Sequence, residues 1–309
     1  MKQILTFLIL LSLITACSKD LEQKETVISD VNKFKRNFIT IGTFNLEWLG
    51  DGHRDRKKRS EEDYHHIAST IKELNVDIIG LQEIENEKAL KRLLKYLPNY
   101  NYLIGTTGGA QKPAILLRKT LAVTSLGDYF PLMIEPRRTK AGLWIYVKAN
   151  NFDFHLMNVH FKSTSHWDNT PAKRSKSFYL RKRQAEVLKN WADSILTNSE
   201  EEDVIVIGDF NDALRKKNSM IRPISKVLNF ITEDEKSCRF RFSYTIDNIA
   251  VSDTTDILRY KAYSLHTMNL NYKYSIKEVK GISDHCPVLA EFDVSKPDND
   301  PPIDIIVKK

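Results

Sequence analysis

Residues 204–212 read Val-Ile-Val-Ile-Gly-Asp-Phe-Asn-Asp, and this stretch decides the fold of the chain. Its four β-branched residues predict a buried strand, and Gly208 ends the run because glycine allows a tight turn. Asp209 and Asn211 lie two residues apart, so in an extended chain their side chains point the same way, while Phe210 points toward the core. Taken alone, this pattern favours a strand that ends in an ordinary Asx turn.

The same pattern recurs along the chain. Four other apolar runs end directly in polar residues. A fifth apolar run begins just after a pair of polar residues. The polar residues at these positions are Asn45 and Glu47, Glu83, Asn158 and His160, Asp247 and Asn248, and Asp284 and His285. One such strand end carries little information. Together they predict a single shared pocket of carboxylates, amides and imidazoles.

The ordered set of motifs resembles the deoxyribonuclease I-like endonuclease/exonuclease/phosphatase family. The matching pieces are Thr43-Phe44-Asn45, Leu81-Gln82-Glu83, Asn158-Val159-His160, Gly208-Asp209-Phe210-Asn211, Ile246-Asp247-Asn248 and Ser283-Asp284-His285. They occur in the family's order and span residues 38–293. Each piece is short, but the ordered set is specific. The segment from Asn158 to Ser163 is closest to secreted bacterial nucleases of this family.

The alternation of strands and helices predicts an α/β protein in which packed sheets are covered by helices. The resemblance implies a four-layer α/β sandwich, with two mixed β-sheets face to face, flanking helices and the site at one end. We predict strands at 39–44, 77–81, 114–117, 143–147, 152–159, 204–207, 238–251, 262–270 and 288–294. We predict helices at 61–74, after Asn86, at 178–195 and at 220–230.

The N-terminus has the pattern of a signal peptide, with Lys2 before an apolar run at 4–14 that is short for a membrane span. Ile14-Thr15-Ala16-Cys17 resembles a bacterial lipobox, which implies diacylation of Cys17 and cleavage before it. The alternative is ordinary secretion with a coincidental cysteine. We expect a signal peptide at 1–16, a lipidated tether at 17–36, one endonuclease/exonuclease/phosphatase domain at 37–295 and a C-terminal tail at 296–309. The protein would be a lipoprotein of the bacterial cell envelope, at the outer membrane and facing the periplasm or the surface.

Two further cysteines, Cys238 and Cys286, could form a disulfide in an oxidising envelope. However, Cys286 lies inside a site motif, where the chain enters a buried strand. We therefore expect a small buried thiol at this position rather than a disulfide.

The charge distribution favours a polyanionic substrate. The chain has 309 residues, of which 41% are hydrophobic, and a formal charge of +7. Lys and Arg cluster at 54–59, 173–176, 181–183 and 215–217, each after a motif-bearing strand end or at the start of the helix that follows. These segments could be solvated loops, but basic stretches around a shared pocket suit a polyanion.

The resemblance implies a role for each residue of the pocket. Glu83 is the main ligand of Mg²⁺ or Mn²⁺, with Ca²⁺ as an alternative ion, and Asn45, Glu47 and Asp284 join it directly or through water. His285 is the general base or acid and is oriented by Asp247. His160 donates a hydrogen bond to a phosphate oxygen or protonates the leaving group, and Asp209 and Asn211 position the water and the phosphoryl group.

The resemblance also implies substrate contacts from Asn158, Lys162, Asn248 and either Arg137 or Arg138. Arg181 and Gln184 resemble family positions that brace the site. His65 and His66 are adjacent, which excludes the i, i+4 spacing of a helical zinc pair.

We expect a monomeric, metal-dependent phosphodiester hydrolase without a protein partner. Within this class, the motifs favour a nuclease that cuts DNA or RNA. No Trp leads into Gly208, as it would in inositol phosphatases, and no hydrophobic insertion suggests a sphingomyelinase. The alternatives are a phosphatase or phosphodiesterase on small or lipid phosphoesters, of the inositol phosphate or sphingomyelinase type, and a non-catalytic surface module that kept the fold. The complete set of acids, amides and imidazoles argues against the last.

The lipobox generates the first testable prediction. Cys17→Ser should accumulate as an unprocessed precursor and should not incorporate labelled fatty acid, because the sulfur that accepts the lipid is absent. Gel mobility and lipid labelling measure the two effects, with Cys238→Ser as the control for loss of a different cysteine. Normal labelling of the Cys17 variant would end the lipoprotein hypothesis.

Overall fold

The computed structural model describes residues 26–29, 33–239 and 242–300 of the chain. Cys17 and the predicted signal peptide lie outside the described residues, so their assignment stays a prediction. No helix in the described part of the chain has the length and apolar character needed to cross a membrane.

Two β-sheets form the centre of the fold. The first has seven strands in the order β1 (Thr26–Ser29), β6 (Ala122–Tyr129), β7 (Gly142–Ala149), β8 (Phe152–His160), β9 (Val204–Asp209), β11 (Asp247–Val251) and β10 (Asn229–Phe230). The second has six strands in the order β12 (His266–Thr267), β13 (Val288–Asp293), β2 (Phe38–Leu49), β3 (Ile78–Ile84), β5 (Lys112–Arg118) and β4 (Tyr100–Ile104). Each sheet is mixed, because β8–β9 and β2–β3 are parallel pairs among antiparallel ones.

The sheets pack face to face through a core of residues with zero exposure, including Ile41 and Ile78 from one sheet and Phe154 and Ile207 from the other. Helices cover the outer faces. α1 (Glu61–Leu74) and α2 (Glu87–Leu94) pack on the six-stranded sheet, together with Ile282 of the short helix α4 (Ile276–Ile282). α3 (Pro171–Asn198) packs on the seven-stranded sheet. The predicted four-layer α/β sandwich is confirmed.

Local sequence signals fix the helices. Ser60 and Asp63 form a capping box that starts α1, and Asn75 ends it in the left-handed conformation, so this helix has the predicted bounds. Asn86 caps α2 as predicted. α3 begins at Pro171 rather than 178, because Thr170 caps it and proline suits the first helical turn.

The predictions fail mainly in the C-terminal half. The helix expected at 220–230 is a 3₁₀ turn at Ile224–Lys226 followed by β10, where Phe230 pairs with Ala250 of β11. Pairing to this sheet edge overrides the local helical preference. In place of the strand expected at 262–270, the structure has the short strand β12 between two 3₁₀ turns. Of the strand expected at 238–251, only β11 is formed. β1, β4, β6 and α4 were not predicted, and the expected tether contains β1 and the buried Phe34.

The strand register brings the site motifs together. His160 pairs with Asp209 in the parallel β8–β9 ladder, and Asp209 pairs with Asp247 in the antiparallel β9–β11 ladder. Gly208 allows this close approach: its φ is 146°, and a Cβ atom there would lie 2.0 Å from the carbonyl oxygen of Val159. One end of the seven-stranded sheet therefore presents three site residues side by side.

Cys238 and Cys286 form a disulfide, with their Cα atoms 6.3 Å apart. The expectation of a buried thiol at Cys286 is wrong. The described residues 231–239 and 242–246 form no long strand, so the contact of Cys238 with Cys286 could not be predicted from local patterns. The disulfide ties this segment to the residue next to His285.

Breaking the disulfide should destabilise the fold. Cys238→Ser should lower the free energy of unfolding by about 2–4 kcal/mol in a urea titration, because the bond closes a long loop in the unfolded chain. The matched control is the Cys238→Ser/Cys286→Ser double variant, which should lose no more than the single variant. A stability equal to that of the wild type in both variants would contradict a structural role for the bond.

Candidate active site

Asp209 lies at the centre of the site and is buried. Its Oδ2 atom accepts hydrogen bonds from Asn45 Nδ2 and Asn211 Nδ2, both at 3.0 Å, and its Oδ1 atom accepts one from the backbone N–H of Asn211 at 2.8 Å. Asn45 comes from the six-stranded sheet and Asp209 from the seven-stranded sheet. The contact therefore closes the end of the sandwich. Burial raises the pKa of Asp209 above its ordinary range, so this carboxylate is a better proton acceptor than a solvated one.

His285 and Asp247 form a tight pair, with His285 Nδ1 2.8 Å from Asp247 Oδ2. The other ring nitrogen, Nε2, lies 4.0 Å from Asp209 Oδ2. Burial opposes the charged ring, but the carboxylates of Asp247 and then Asp209 outweigh it and raise the pKa of His285 to about 10. The imidazole therefore carries a proton at neutral pH.

The loop before β13 holds this imidazole in place. Ser283 Oγ donates a 2.6 Å hydrogen bond to the carbonyl oxygen of Asn45, and the backbone N–H of His285 donates to Ser283 Oγ at 3.0 Å. His285 is thereby fixed relative to the end of β2, which supplies Asn45.

His160 has the opposite electrostatic environment. Its Nε2 atom lies 3.8 Å from Glu83 Oε1 and 3.7 Å from Asp209 Oδ2. Burial, followed by the positive charges of Lys140 and His285, lowers its pKa well below the ordinary value. A neutral imidazole can donate a hydrogen bond to a phosphate oxygen but has no extra proton to give. Of the two roles expected for His160, the structure favours the hydrogen-bond donor.

Glu83 fits a divalent cation. It is the second-last residue of β3 and has a left-handed backbone, with φ 64°. Non-glycine residues adopt this conformation at a cost, and it is common at functional sites. Asn45 Nδ2 lies 3.5 Å from Glu83 Oε1, whereas Glu83 Oε2 is buried and has no hydrogen-bond partner among the described residues. A buried carboxylate oxygen without a partner is costly, and a hard cation would satisfy it. Glu83 and the neighbouring Asn45 are the residues that would hold the ion.

The other two expected metal ligands lie apart from this pair. The Glu47 carboxylate forms an ion pair with Lys57, and Asp284 Oδ2 lies 2.8 Å from Arg239 Nη1. Both acids line a recess beside His285, where each is paired with a basic side chain. The expectation that all four residues form one ligand set is therefore not what the structure shows.

Two expected substrate-binding residues are buried and committed to the fold. Asn158 Nδ2 donates to the carbonyl oxygens of Leu81 and Ala114 at 3.0 and 2.8 Å, so it joins the two sheets. Asn248 Nδ2 donates to the carbonyl oxygens of Asp212 and Ile246, and its Oδ1 accepts from Thr232. Neither side chain can reach a substrate, which corrects both expectations.

A cleft of about 860 Å³ opens beside Glu83. Arg138 and Lys162, both expected to bind substrate, line it. Six cations line it in all, against two acids: Arg56, Arg137, Arg138, Lys140, Lys162 and Lys173, with Glu83 and Asp168. His166 and Trp167 stand on one wall, and Trp167 is 66% exposed. The cleft is therefore strongly basic and carries an exposed aromatic ring.

Lys140 is the site residue that the motifs do not reveal. It precedes β7 and lies outside every motif. The negative charges of Glu83 and Asp209 act to raise its pKa. Burial outweighs those carboxylates and lowers the pKa of Lys140 to about 8. The one signal that could have found it is its position shortly after Arg137 and Arg138.

The basic segments divide into cleft residues and structural residues. Arg56 and Lys173 line the cleft, but Arg59 is buried and donates to five backbone carbonyl oxygens, those of Leu46, Glu47, Trp48, Gly281 and Ile282. Arg181 Nε donates to the carbonyl oxygen of Lys162, and the backbone N–H of Lys162 donates to Gln184 Oε1. Arg215 is paired with Glu233 and Asp234. Three of the four segments therefore contain a cation that is committed to the fold, whereas Lys216 of the 215–217 segment lines a recess beside His285.

The sequence profile of the endonuclease/exonuclease/phosphatase family matches residues 42–256. The chain belongs to this family. Members are metal-dependent phosphoester hydrolases, so the predicted enzyme class is confirmed. Among curated protein sequences, none gives a significant match.

Solved structures of the family share the fold at low identity. Truncated Caenorhabditis elegans TDP2 is 18% identical with a TM-score of 0.62, and covers 83% of this chain and 97% of its own. D. rerio TDP2 complexed with a single-strand DNA product is 17% identical, TM-score 0.60, covering 84% and 100%. A mannosyl-6-phosphatase of Bacteroides thetaiotaomicron is 20% identical, TM-score 0.55, covering 82% and 99%.

The His285–Asp247 pair generates a prediction that separates catalysis from structure. Asp247→Asn should lower the pKa of His285 from about 10, because its main favourable charge is lost. His285→Ala should lower kcat on the order of 10²–10⁴, the usual contribution of a positioned acid or base, and Asp247→Asn by a similar or smaller factor. NMR titration of the His285 ring and steady-state kinetics measure these effects.

Asp284→Asn is the matched control for this pair. The Asp284 carboxylate is more exposed and lies 3.9 Å from His285 Nε2, so its removal should shift the His285 pKa less. An unchanged His285 pKa in Asp247→Asn, with near-normal turnover in both His285 and Asp247 variants, would make the pair purely structural.

Proposed function

We propose that the protein is a Mg²⁺- or Mn²⁺-dependent nuclease that hydrolyses DNA, or RNA, by in-line attack of an activated water. It acts as a monomer anchored in the bacterial cell envelope through lipid on Cys17. The observation that carries the substrate class is the cleft beside Glu83, with its excess of cations and its exposed Trp167.

The shape and charge of the cleft suit a nucleic-acid strand. A small phosphoester needs one or two cations beside the reacting phosphate, whereas a strand presents phosphates repeatedly and releases counterions at each contact. Arg137, Arg138, Lys162 and Lys173 line the cleft. Trp167, whose ring centroid lies 4.5 Å from that of His166, offers a surface on which a base can stack. The similar structure of D. rerio TDP2 holds a single-strand DNA product.

The residues around Asp209 have complementary proton affinities. Asp209, whose pKa is raised by burial, accepts a proton from the attacking water, and Asn211 and Asn45 hold its carboxylate in position. The His285 imidazolium donates to the phosphoryl group or the leaving oxygen, and neutral His160 donates a hydrogen bond to a phosphate oxygen. A divalent cation held by Glu83 and Asn45 would neutralise charge on the phosphoryl oxygens when bound. Lys140 adds a positive charge on the same side.

The disulfide supports the proposed location. Structural disulfides persist in secreted and envelope proteins and are rare in the reducing cytosol. The Cys238–Cys286 bond thus agrees with export, which the N-terminal pattern also indicates.

A specific observation also favours a second candidate, a phosphatase or phosphodiesterase acting on small phosphoesters. A separate recess of about 340 Å³ lies directly against Asp247 and His285 and is lined by Lys216 and Arg239. Its size and two cations suit one phosphoryl group on a small alcohol. The fold is shared with a bacterial mannosyl-6-phosphatase, and the inositol phosphate and sphingomyelinase types belong to the same alternative.

The two candidates differ in their dependence on salt and on cleft residues. We expect cleavage of double- or single-stranded DNA, or RNA, with kcat/KM that falls steeply with salt, by roughly one unit of log-log slope for each phosphate contacted. Lys173→Glu should raise KM and flatten that slope while sparing kcat on a short substrate. The measurement is kcat/KM on these nucleic acids and on inositol, sugar and sphingomyelin phosphoesters across a salt series.

Lys182→Glu is the matched control, because Lys182 lies on the same helix as Lys173, is exposed and does not line the cleft. It should change neither KM nor the salt slope as strongly. Chelation should abolish cleavage of every substrate, and Glu83→Gln should weaken the response to added Mg²⁺. Efficient, salt-independent turnover of a small phosphoester without cleavage of nucleic acid would establish the phosphatase alternative.

A further inference from the structure

A second group of carboxylates lies at the opposite end of β9 from the active site. Glu201 and Asp203 immediately precede β9, and Asp300 comes from the C-terminal segment. One carboxylate oxygen from each of the three lies within 4.8 Å of the others. Asp203 is six residues before Asp209, so this group is about 20 Å from the catalytic carboxylate at the rise of a β-strand.

The three carboxylates are held in place by the chain around them. Thr255 Oγ1 donates to Asp203 Oδ1 at 2.6 Å, and the backbone N–H of Asp203 donates to Glu201 Oε1 at 2.9 Å. The backbone N–H of Glu202 donates to Asp300 Oδ2 at 2.8 Å. Each acid thus has an oxygen engaged by the chain. Asp300 also shares a hydrogen bond with Asp298, so Glu201 and Asp203 are the acids whose second oxygen is left for another partner.

Asp203 shows that such a partner is missing. Its side chain has zero exposure, and its Oδ2 atom is buried without a hydrogen-bond partner in the described part of the chain. Burying an unpaired carboxylate oxygen is costly, because nothing replaces the water it has lost. A fold retains this arrangement when something binds there.

The charges around the group point to a cation. Asp298 is close to Asp300 and to Asp203, and the positive charge beside them is Arg259. Arg259 contacts Asp298 Oδ1 at 2.7 Å and the carbonyl oxygens of Lys296 and Pro297, while its Nε atom has no hydrogen-bond partner among the described residues.

We propose that Glu201, Asp203 and Asp300 form a binding site for a structural Ca²⁺ ion that fastens the C-terminal segment to the start of β9. Three carboxylates from two parts of the chain supply hard oxygen ligands. Ca²⁺ accepts such irregular, carboxylate-rich coordination, whereas Mg²⁺ demands near-octahedral geometry and keeps most of its water. The site is separate from Glu83, so it does not depend on the proposed substrate.

Thermal unfolding of the full chain, first stripped with a chelator, tests the site. Ca²⁺ at about a hundred times its dissociation constant should raise Tm by about 5 °C, because it binds the folded state only, and Mg²⁺ should raise it less. Asp203→Asn and Asp300→Asn should each remove most of the Ca²⁺-dependent shift. Asp203→Asn should not lower Tm in the absence of Ca²⁺, since it removes a buried charge and keeps the side-chain shape.

Three controls make the outcome decisive. Asp253→Asn changes an exposed carboxylate in the same region and should keep the full Ca²⁺-dependent shift. Glu83→Gln should also keep it, because the catalytic cation is a different one. Calorimetric titration of Ca²⁺ into Glu83→Gln should show one site, which is absent when Asp203→Asn is added. A shift that disappears in Glu83→Gln, that survives in both Asp203→Asn and Asp300→Asn, or that is absent from the wild type would overturn the proposal.

Discussion

The hydrogen bond from Asn45 to Asp209 joins the two sheets at the end of the sandwich, and the active site depends on it. Each sheet ends in polar residues that cannot act alone. The six-stranded sheet supplies Asn45 and Glu83, and the seven-stranded sheet supplies His160, Asp209 and Asp247. Face-to-face packing brings Glu83, the proposed cation ligand, near His160 and Asp209. The apolar core between the sheets therefore has a catalytic consequence, because it sets the distance between the two halves of the site.

Several cations that look like substrate ligands in the sequence instead bind backbone carbonyl oxygens of the chain around the site. Arg59 connects the end of β2 to the end of α4 through five carbonyl oxygens, and Arg181 holds the chain at Lys162. A buried guanidinium can satisfy many carbonyl groups at once because its five N–H donors form a fixed planar fork. Of the cations that line the cleft, Arg138 and Lys162 are paired with Asp168. A charge count along the sequence cannot separate these two uses.

The sequence predicts the residues at strand ends because strand register is simple geometry. Asp209, Asp247 and His160 each end or begin a strand, so a correct pairing order places them together. Residues whose partners come from the other sheet or from irregular segments could not be predicted in this way. Asn158 satisfies carbonyl groups of the other sheet, and Cys238 pairs from a segment with little regular structure. The motif containing Asn158 is correctly identified, but the Asn158 side chain joins the two sheets instead of contacting substrate.

Two imidazoles within one site differ in charge because of their neighbours alone. His285 contacts Asp247 and faces Asp209, so its protonated form is favoured despite burial. His160 is also buried, but Lys140 and His285 add positive charge beside it, so its neutral form is favoured. The protonated His285 itself helps to keep His160 neutral, and it also lowers the pKa that burial gives Asp209. One coupled arrangement of charges therefore favours protonated His285 and neutral His160. Removal of the Asp247 charge would alter the protonation of His285, His160 and Asp209 together.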